Sequence, residues 1–305
     1  MHAETLLTAA LKHSNVIKYV FRAIPGILFL FSATAKLAGI DAFELYVFSL
    51  GKFPLGTAYL LARVVIAAEY TLGILLLANF LPRLAAWGSA AMLGGFTLFL
   101  TFLLLSGRQD DCNCFGEWIR MNPAQSIGKN LVLMALLAAG SGLSAFRLRH
   151  KGLWFTLSAV IPLAAVLTVS PPDNWRYGAY DRRNPVNETA LREAVEEGLL
   201  PRSLTEGEHV VCFFSLRCDY CRMSARKLMI LRERGEFSQA PVIAVFGRGE
   251  DTDTAPFLED TGFRPDQTCF LDPSVFLRIT NGAMPLILVM QDSVSAAHYN
   301  YRNLH

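Results

Sequence analysis

The stretch His209-Val-Val-Cys-Phe-Phe-Ser-Leu-Arg-Cys218-Asp-Tyr-Cys221-Arg222 passes from an unbroken apolar run directly into two cysteines separated by two residues. A short continuous apolar run is the pattern of a strand buried on both faces. From Arg222 to about Arg234 the pattern becomes helical, so the cysteine pair stands where a buried strand hands over to a helix. Downstream, Pro241 to Gly247 reads as a second apolar strand, Asp253 to Thr261 as a helix, and Thr268 to Leu271 as a short strand. Leu286 to Met290 reads as another strand, preceded by Met284-Pro285. Upstream, Asn187 or Thr189 is placed to cap a helix running to about Glu197. Strands alternating with helices predict an α/β domain over residues 173–305.

The residues before Pro172 are of another kind. The whole chain of 305 residues is 52% hydrophobic and 18% charged, with a formal net charge of +2. That small sum hides +6 before residue 173 and −4 after it. A single soluble domain, a disordered chain and a binder of nucleic acid acting through overall basicity are excluded. Five apolar runs approach the roughly 20 residues needed to cross a hydrocarbon core: Tyr19 to Ala38, Leu55 to Phe80, Leu84 to Ser106, Gly128 to Phe146 and Leu153 to Ser170. The first lacks a small-residue cleavage site and is read as a span, not a cleaved leader. Residues 1–172 are therefore expected to form a transmembrane domain of about five helices, with a loop at 107–127.

Lys and Arg concentrate in segments that share a side with the N-terminus: Lys12, Lys18, Arg22, Arg83, Arg147, Arg149 and Lys151. With that side cytoplasmic, an odd number of spans places everything after Pro171 outside. All six cysteines, Cys112, Cys114, Cys212, Cys218, Cys221 and Cys269, then face the compartment where disulfides persist. No cysteine lies in a predicted span, so the chain's own thiols cannot carry electrons across the bilayer. Lys36, Arg63 and Glu69 fall in or near spans, where charges are costly. Lys36 is expected to snorkel to the interface and Glu69 to bond across helices, with quinone or proton handling as the alternative. The small residues from Gly88 to Gly95 are expected to mark a close helix contact.

The loop Gly107-Arg-Gln-Asp-Asp-Cys112-Asn-Cys114-Phe115-Gly-Glu-Trp118 holds a second pair. Cysteines one residue apart close only a small, strained ring, which makes the bond exchangeable and a poor structural staple. No histidine lies nearby to complete a metal site, and no metal is expected at either pair.

The membrane half resembles the MauE/DoxX-like redox-associated membrane proteins over about residues 20 to 150. The resemblance rests on Arg22 through Lys36, on Glu69-Tyr-Thr-Leu-Gly73 with Leu75 to Leu77, and on Asp111-Cys-Asn-Cys-Phe-Gly116, where Asn113 replaces a frequent Gly. It implies a four-helix unit linked to extracytoplasmic disulfide chemistry, with the fifth helix as a connection. Residues 185 to 305 resemble a thioredoxin-like domain of the membrane-anchored, TlpA-like branch. That resemblance implies a cis Pro285 facing the cysteine pair, with Met284 helping to dock an extended substrate. Position at a helix N-terminus makes Cys218 the candidate nucleophile, favoured by the dipole, Arg217 and Arg222 and opposed by Asp219. Cys221 is the candidate resolving thiol. Cys212, where thioredoxins commonly carry a buried carboxylate, is read as a small buried hydrophobe, as is Cys269, although a bridge between the two stays open.

These readings converge on a membrane-bound thiol-disulfide oxidoreductase in which Cys112/Cys114 and Cys218/Cys221 exchange electrons and act on disulfides of extracytoplasmic proteins. Quinone is the candidate electron acceptor, and the bacterial inner membrane, with the second domain in the periplasm, is the expected location. The alternative is a non-catalytic, membrane-anchored assembly factor for one disulfide-rich partner.

Overall fold

The computed structural model describes residues 2–51, 53–106, 115, 118–119, 121–142, 151–176, 186–249 and 252–304. The chain divides into two compact units, residues 1–50 with 57–171, and residues 51–56 with 172–305.

The first unit is helical: α1 (His2–Ala38), α2 (Ile40–Leu50), α3 (Leu55–Leu77), α4 (Pro82–Leu105), α5 (Pro123–Ala139) and α6 (Lys151–Val169). Four of the described helices, α1 from Asn15 on, α3, α4 and α6, are long and apolar enough to cross a membrane. Their surfaces agree with that assignment. Leu105, Trp87 and Leu98 are 83%, 77% and 74% exposed, an outward apolar face that water would not tolerate over so many turns. The predicted fourth span, Gly128 to Phe146, corresponds to α5, which begins five residues earlier because Asn122 and Gln125 form a capping box ahead of Pro123. With 17 residues, α5 lies at the short end of what spans a bilayer.

The interior is held by close approach and by buried polar pairs. Gly26 and Gly73 face each other across α1 and α3, and a Cβ on Gly73 would come within 2.7 Å of Leu30 and 3.0 Å of the Gly26 carbonyl. This is the small-residue contact that lets two membrane helices meet. The Gly88–Gly95 stretch behaves differently at its two ends: a Cβ on Gly88 would come within 3.1 Å of Leu72, whereas among the described residues a Cβ on Gly94 or Gly95 would meet open space. Helix α2 lies between the first two predicted spans. It buries Phe43, Leu45 and Phe48 together with Glu44, and Glu44 pairs with Arg63 of α3. Arg63 also donates to the carbonyls of Tyr59, Ser170 and Pro171.

The second unit is a five-stranded mixed sheet with helices on both faces. Its strands are β1 (Glu208–Phe214), β2 (Val242–Gly247), β3 (Gln267–Leu271), β4 (Leu286–Gln291) and β5 (Val294–Tyr299), in the order β3-β2-β1-β4-β5. β1, β2 and β3 run parallel, and β4 and β5 are antiparallel additions. The helices are α7 (Asp173–Arg176), α8 (Glu188–Glu196), α9 (Asp219–Glu233), α10 (Ala255–Thr261) and α11 (Pro273–Thr280). Asn187 caps α8 by accepting from the Ala190 N–H. One sheet face, with Val211, Phe213, Ile243 and Val245, packs on α8 and α11. Phe214 and Phe246 stack from the other face against Phe257 and Phe263. Strand β5 and helix α11 were not anticipated. The β4–β5 turn uses Asp292 and Ser293 at φ 49° and 69°, a pairing with a weaker sequence signal than Asn-Gly.

Candidate functional site

Strand β1 ends at Phe214, and the chain turns through Ser215 to Arg217 into Cys218, the N-cap of α9. A helix starting there leaves its first N–H groups unpaired, and one of them, at Cys221, points to Cys218 Sγ at 3.2 Å. The observed helix begins at Asp219, earlier than Arg222, because the cysteine side chain itself serves as the cap. Cys218 is half-buried and Cys221 is fully buried, and both are free thiols.

The two thiols have opposite acid–base character. Cys218 is lowered from the ordinary thiol value to about 6 by a hydrogen bond from the Cys221 side chain, against partial burial, with further help from the backbone N–H groups of Cys221 and Tyr220. Asp219 pushes the other way, as its charge requires. Cys221 is raised by that same bond to Cys218 and by burial, although the Ser215 N–H reaches its sulfur at 3.4 Å. The expected help from Arg217 and Arg222 is not part of this balance. Arg222 is held by Asp260 at 3.2 Å and by the Leu216 carbonyl at 3.0 Å, and Arg217 is exposed. The arrangement pairs an accessible thiolate with a shielded thiol, the set needed for forming and then resolving a mixed disulfide.

The Met284–Pro285 peptide bond is cis. Leu286 pairs with Phe213, so Pro285 stands beside the end of β1 from which the Cys218 turn departs. Pro285 is buried and Met284 is 41% exposed. On the other flank, Tyr220 packs edge-on against Tyr301 at 5.5 Å and under the Arg302 guanidinium at 5.8 Å. Arg302 in turn donates to both carboxylate oxygens of Asp173, and the buried Lys227 donates to the Tyr301 carbonyl at 2.8 Å. The sequence reading did not include Tyr301 and Arg302, because nothing local connects residues 299–304 to the cysteine helix.

Cys212 is fully buried and its thiol is pushed up by burial, which fits a small hydrophobe. Cys269 is partly exposed, its thiol also raised by burial. The register settles the open question of a bridge: Cys212 pairs with Ala244, while Cys269 pairs with the next β2 residue, Val245. Adjacent residues of a strand face opposite sides, and strands two apart lie roughly 9–10 Å away from each other, beyond the reach of a disulfide.

In the membrane unit, Lys36 Nζ donates to both oxygens of Glu69, at 2.7 and 2.9 Å, and to Ser32 at 2.6 Å. Lys36 is 1% exposed, so it does not snorkel; Glu69 does bond across helices, from α3 to α1. The segments around Arg22–Lys36 and Glu69–Gly73 thus form two sides of one interface, extended by Arg22 donating to Asn79 and to the Pro82 carbonyl. Lys129, absent from the sequence list of intramembrane charges, lies in α5 with its ammonium 4.5 Å from the Phe115 ring centre. Its place beside the edge of an apolar run disguised it as an interface residue. Cys112 and Cys114 lie outside the described residues.

The family model described as methylamine utilisation protein MauE matches residues 14–144. Protein TlpB of Flavobacterium psychrophilum is 26% identical in an alignment that covers 82% of this chain and 81% of that protein. No solved structure matches the chain. The comparisons and the fold agree: the chain is similar to MauE proteins over residues 14–144, and the apolar helices there are followed by a mixed five-stranded α/β unit consistent with a thioredoxin-like fold.

Proposed function

We propose that the protein is a membrane-bound thiol-disulfide oxidoreductase that oxidises extracytoplasmic proteins. The observation that carries this reading is the pairing of an accessible, low-pKa Cys218 with a buried, protonated Cys221 at the start of α9. In the oxidised enzyme a client thiolate attacks the Cys218 sulfur and displaces Cys221. A second client thiolate then attacks the client sulfur of this mixed disulfide and displaces Cys218, leaving the client with a disulfide and the enzyme with two thiols. The low pKa of Cys218 makes it the better leaving group in this second step. The two electrons pass to a Cys112–Cys114 disulfide and from there, with two protons, to quinone. Tethering both pairs on one chain gives an effective concentration of order millimolar for their exchange.

The cysteines share one side of the membrane when α1, α3, α4, α5 and α6 all cross with the N-terminus in the cytoplasm, which places the second domain in the periplasm of a bacterial inner membrane. Met284 and Pro285 dock the client segment, and Glu69 and Lys36 hold the membrane unit together. Covalent capture by Cys221→Ser in intact cells tests the assignment. Several disulfide-linked clients, all lost in Cys218→Ser, are the expected result. Capture of a single client would favour an assembly factor, and capture of none would contradict both.

A further inference from the structure

The hydroxyls buried in the helices of the α/β unit are handled in two ways. Thr261 donates to the Phe257 carbonyl at 2.6 Å and Thr280 to the Phe276 carbonyl at 3.0 Å, the bond to the preceding turn that a helical hydroxyl can make. Ser224, in α9, is fully buried, and its Oγ has no hydrogen-bond partner among the described residues. An orphaned buried hydroxyl costs stability and calls for a reason.

The position of Ser224 supplies that reason. It lies three residues after Cys221 on α9, and both are fully buried. Side chains three apart on a helix are neighbours, about 5–6 Å between Cβ atoms, and they lean toward the N-terminal turn. Ser224 therefore leans toward the turn that carries Cys221. In the dithiol form Cys221 donates to Cys218, and its own sulfur meets the Ser215 N–H at 3.4 Å. The bond to Cys218 and burial raise its pKa, and the charge of Cys218 adds to the effect. Once Cys218 is joined to a client, it no longer carries the charge that accepts this bond. A negative charge on Cys221 then has the Ser215 N–H as its one bonded donor among the described residues.

Resting on the exchange chemistry proposed above, we propose that the Ser224 hydroxyl is the second donor to the Cys221 sulfur whenever that sulfur carries charge. Client attack forms the bond between the client and Cys218 sulfurs and breaks the Cys218–Cys221 bond, whose electron pair leaves on Cys221. Rotation about χ1 turns the Ser224 O–H onto the emerging thiolate. Ser224 keeps its proton, and the proton that the client thiol gave up to water returns from water to Cys221. A donor bonded to the charged sulfur and not to the thiol lowers the barrier in both directions without stabilising the resting state.

The step is read on reduced full-length protein in detergent, carrying Cys112→Ser, Cys114→Ser and Cys269→Ser so that the other accessible thiols are silent. The protein is mixed with an excess of an aromatic disulfide whose released thionitrobenzoate is followed by absorbance. Attack by Cys218 releases the first equivalent. Attack by Cys221 on the resulting mixed disulfide releases the second in a unimolecular phase independent of reagent concentration. Ser224→Ala should slow the second phase about tenfold or more relative to the first, the loss of a hydrogen bond to a charged group. Ser224→Thr, which keeps the hydroxyl, should recover most of that rate. Alanine is the better helix former and removes the orphaned group, so Ser224→Ala should melt no lower than its parent, which separates a role in exchange from one in packing. A second phase unchanged in Ser224→Ala, or slowed equally in Ser224→Thr, would overturn the proposal and leave the exchange reading standing. A parent protein without a second phase would contradict the exchange reading, and the role of Ser224 with it.

Discussion

In the proposed function the chemistry centres on Cys218, whose sulfur is met by the Cys221 side chain and by the backbone N–H groups at the start of α9. The N–H of Cys221 reaches its sulfur because the helix starts one residue after it, a consequence of chain direction that no neighbouring arginine has to supply. Alkylation of reduced protein by iodoacetamide should therefore follow a titration with a midpoint near pH 6, set by the lowered value of Cys218, and Cys221→Ala should move that midpoint upward by removing the hydrogen bond from the Cys221 side chain. The same shift has a sign for stability. A thiol whose folded pKa is depressed stabilises the reduced fold fully above its unfolded value, and that contribution is lost as pH falls through the folded value. Urea midpoints of reduced protein relative to Cys218→Ser should thus decline between about pH 9 and pH 6. Cys212 offers the contrast. Buried and outside the titrating range of the site, it should accept Cys212→Ala at a cost of about 1 kcal/mol, with exchange activity unchanged in an insulin-reduction assay. The cysteine pair was legible from spacing alone. The flank of Tyr220 by Tyr301 and Arg302 was not, since it joins positions about 80 residues apart through tertiary packing.

At the level of elements, the interface of α1 with α3 decides the membrane unit. Gly26 against Gly73 sets the approach, and Lys36 with Glu69 locks the register. Glu69→Ala leaves a buried ammonium unpaired and should cost about 3–5 kcal/mol, read as a lowered unfolding temperature in detergent, while Lys36→Met combined with Glu69→Leu should recover most of the loss. Gly73→Ala pushes a methyl group against Leu30 and the Gly26 carbonyl and should cost about 1–3 kcal/mol. Hydropathy made the long helices readable because lipid-facing and core-facing residues are both apolar. The same uniformity hid which charge meets which. Glu44 looked like a loop carboxylate because Ile40–Leu50 is too short to span, and only the fold brings it to Arg63. In the second unit the strands at the centre of the sheet were plain, each a continuous apolar run. Edge strand β5, Val294-Ser-Ala-Ala-His-Tyr299, is neither a continuous apolar run nor a regular alternation and begins after a turn of low intrinsic signal, so it had no comparable signature.

The whole molecule joins a membrane unit that carries buried charge to an α/β unit that carries a thiol of lowered pKa, each with its own core. In the proposed function the two are one electron path, running from client thiols through Cys218 and Cys221 to Cys112 and Cys114 and then to a quinone in the lipid. The most direct test is the redox state of Cys218 and Cys221 in intact cells, trapped by acid quenching and thiol alkylation, with and without Cys112→Ser. The expected result is a shift of the Cys218/Cys221 pair from disulfide to dithiol in the variant. A ratio unchanged by Cys112→Ser would contradict the path.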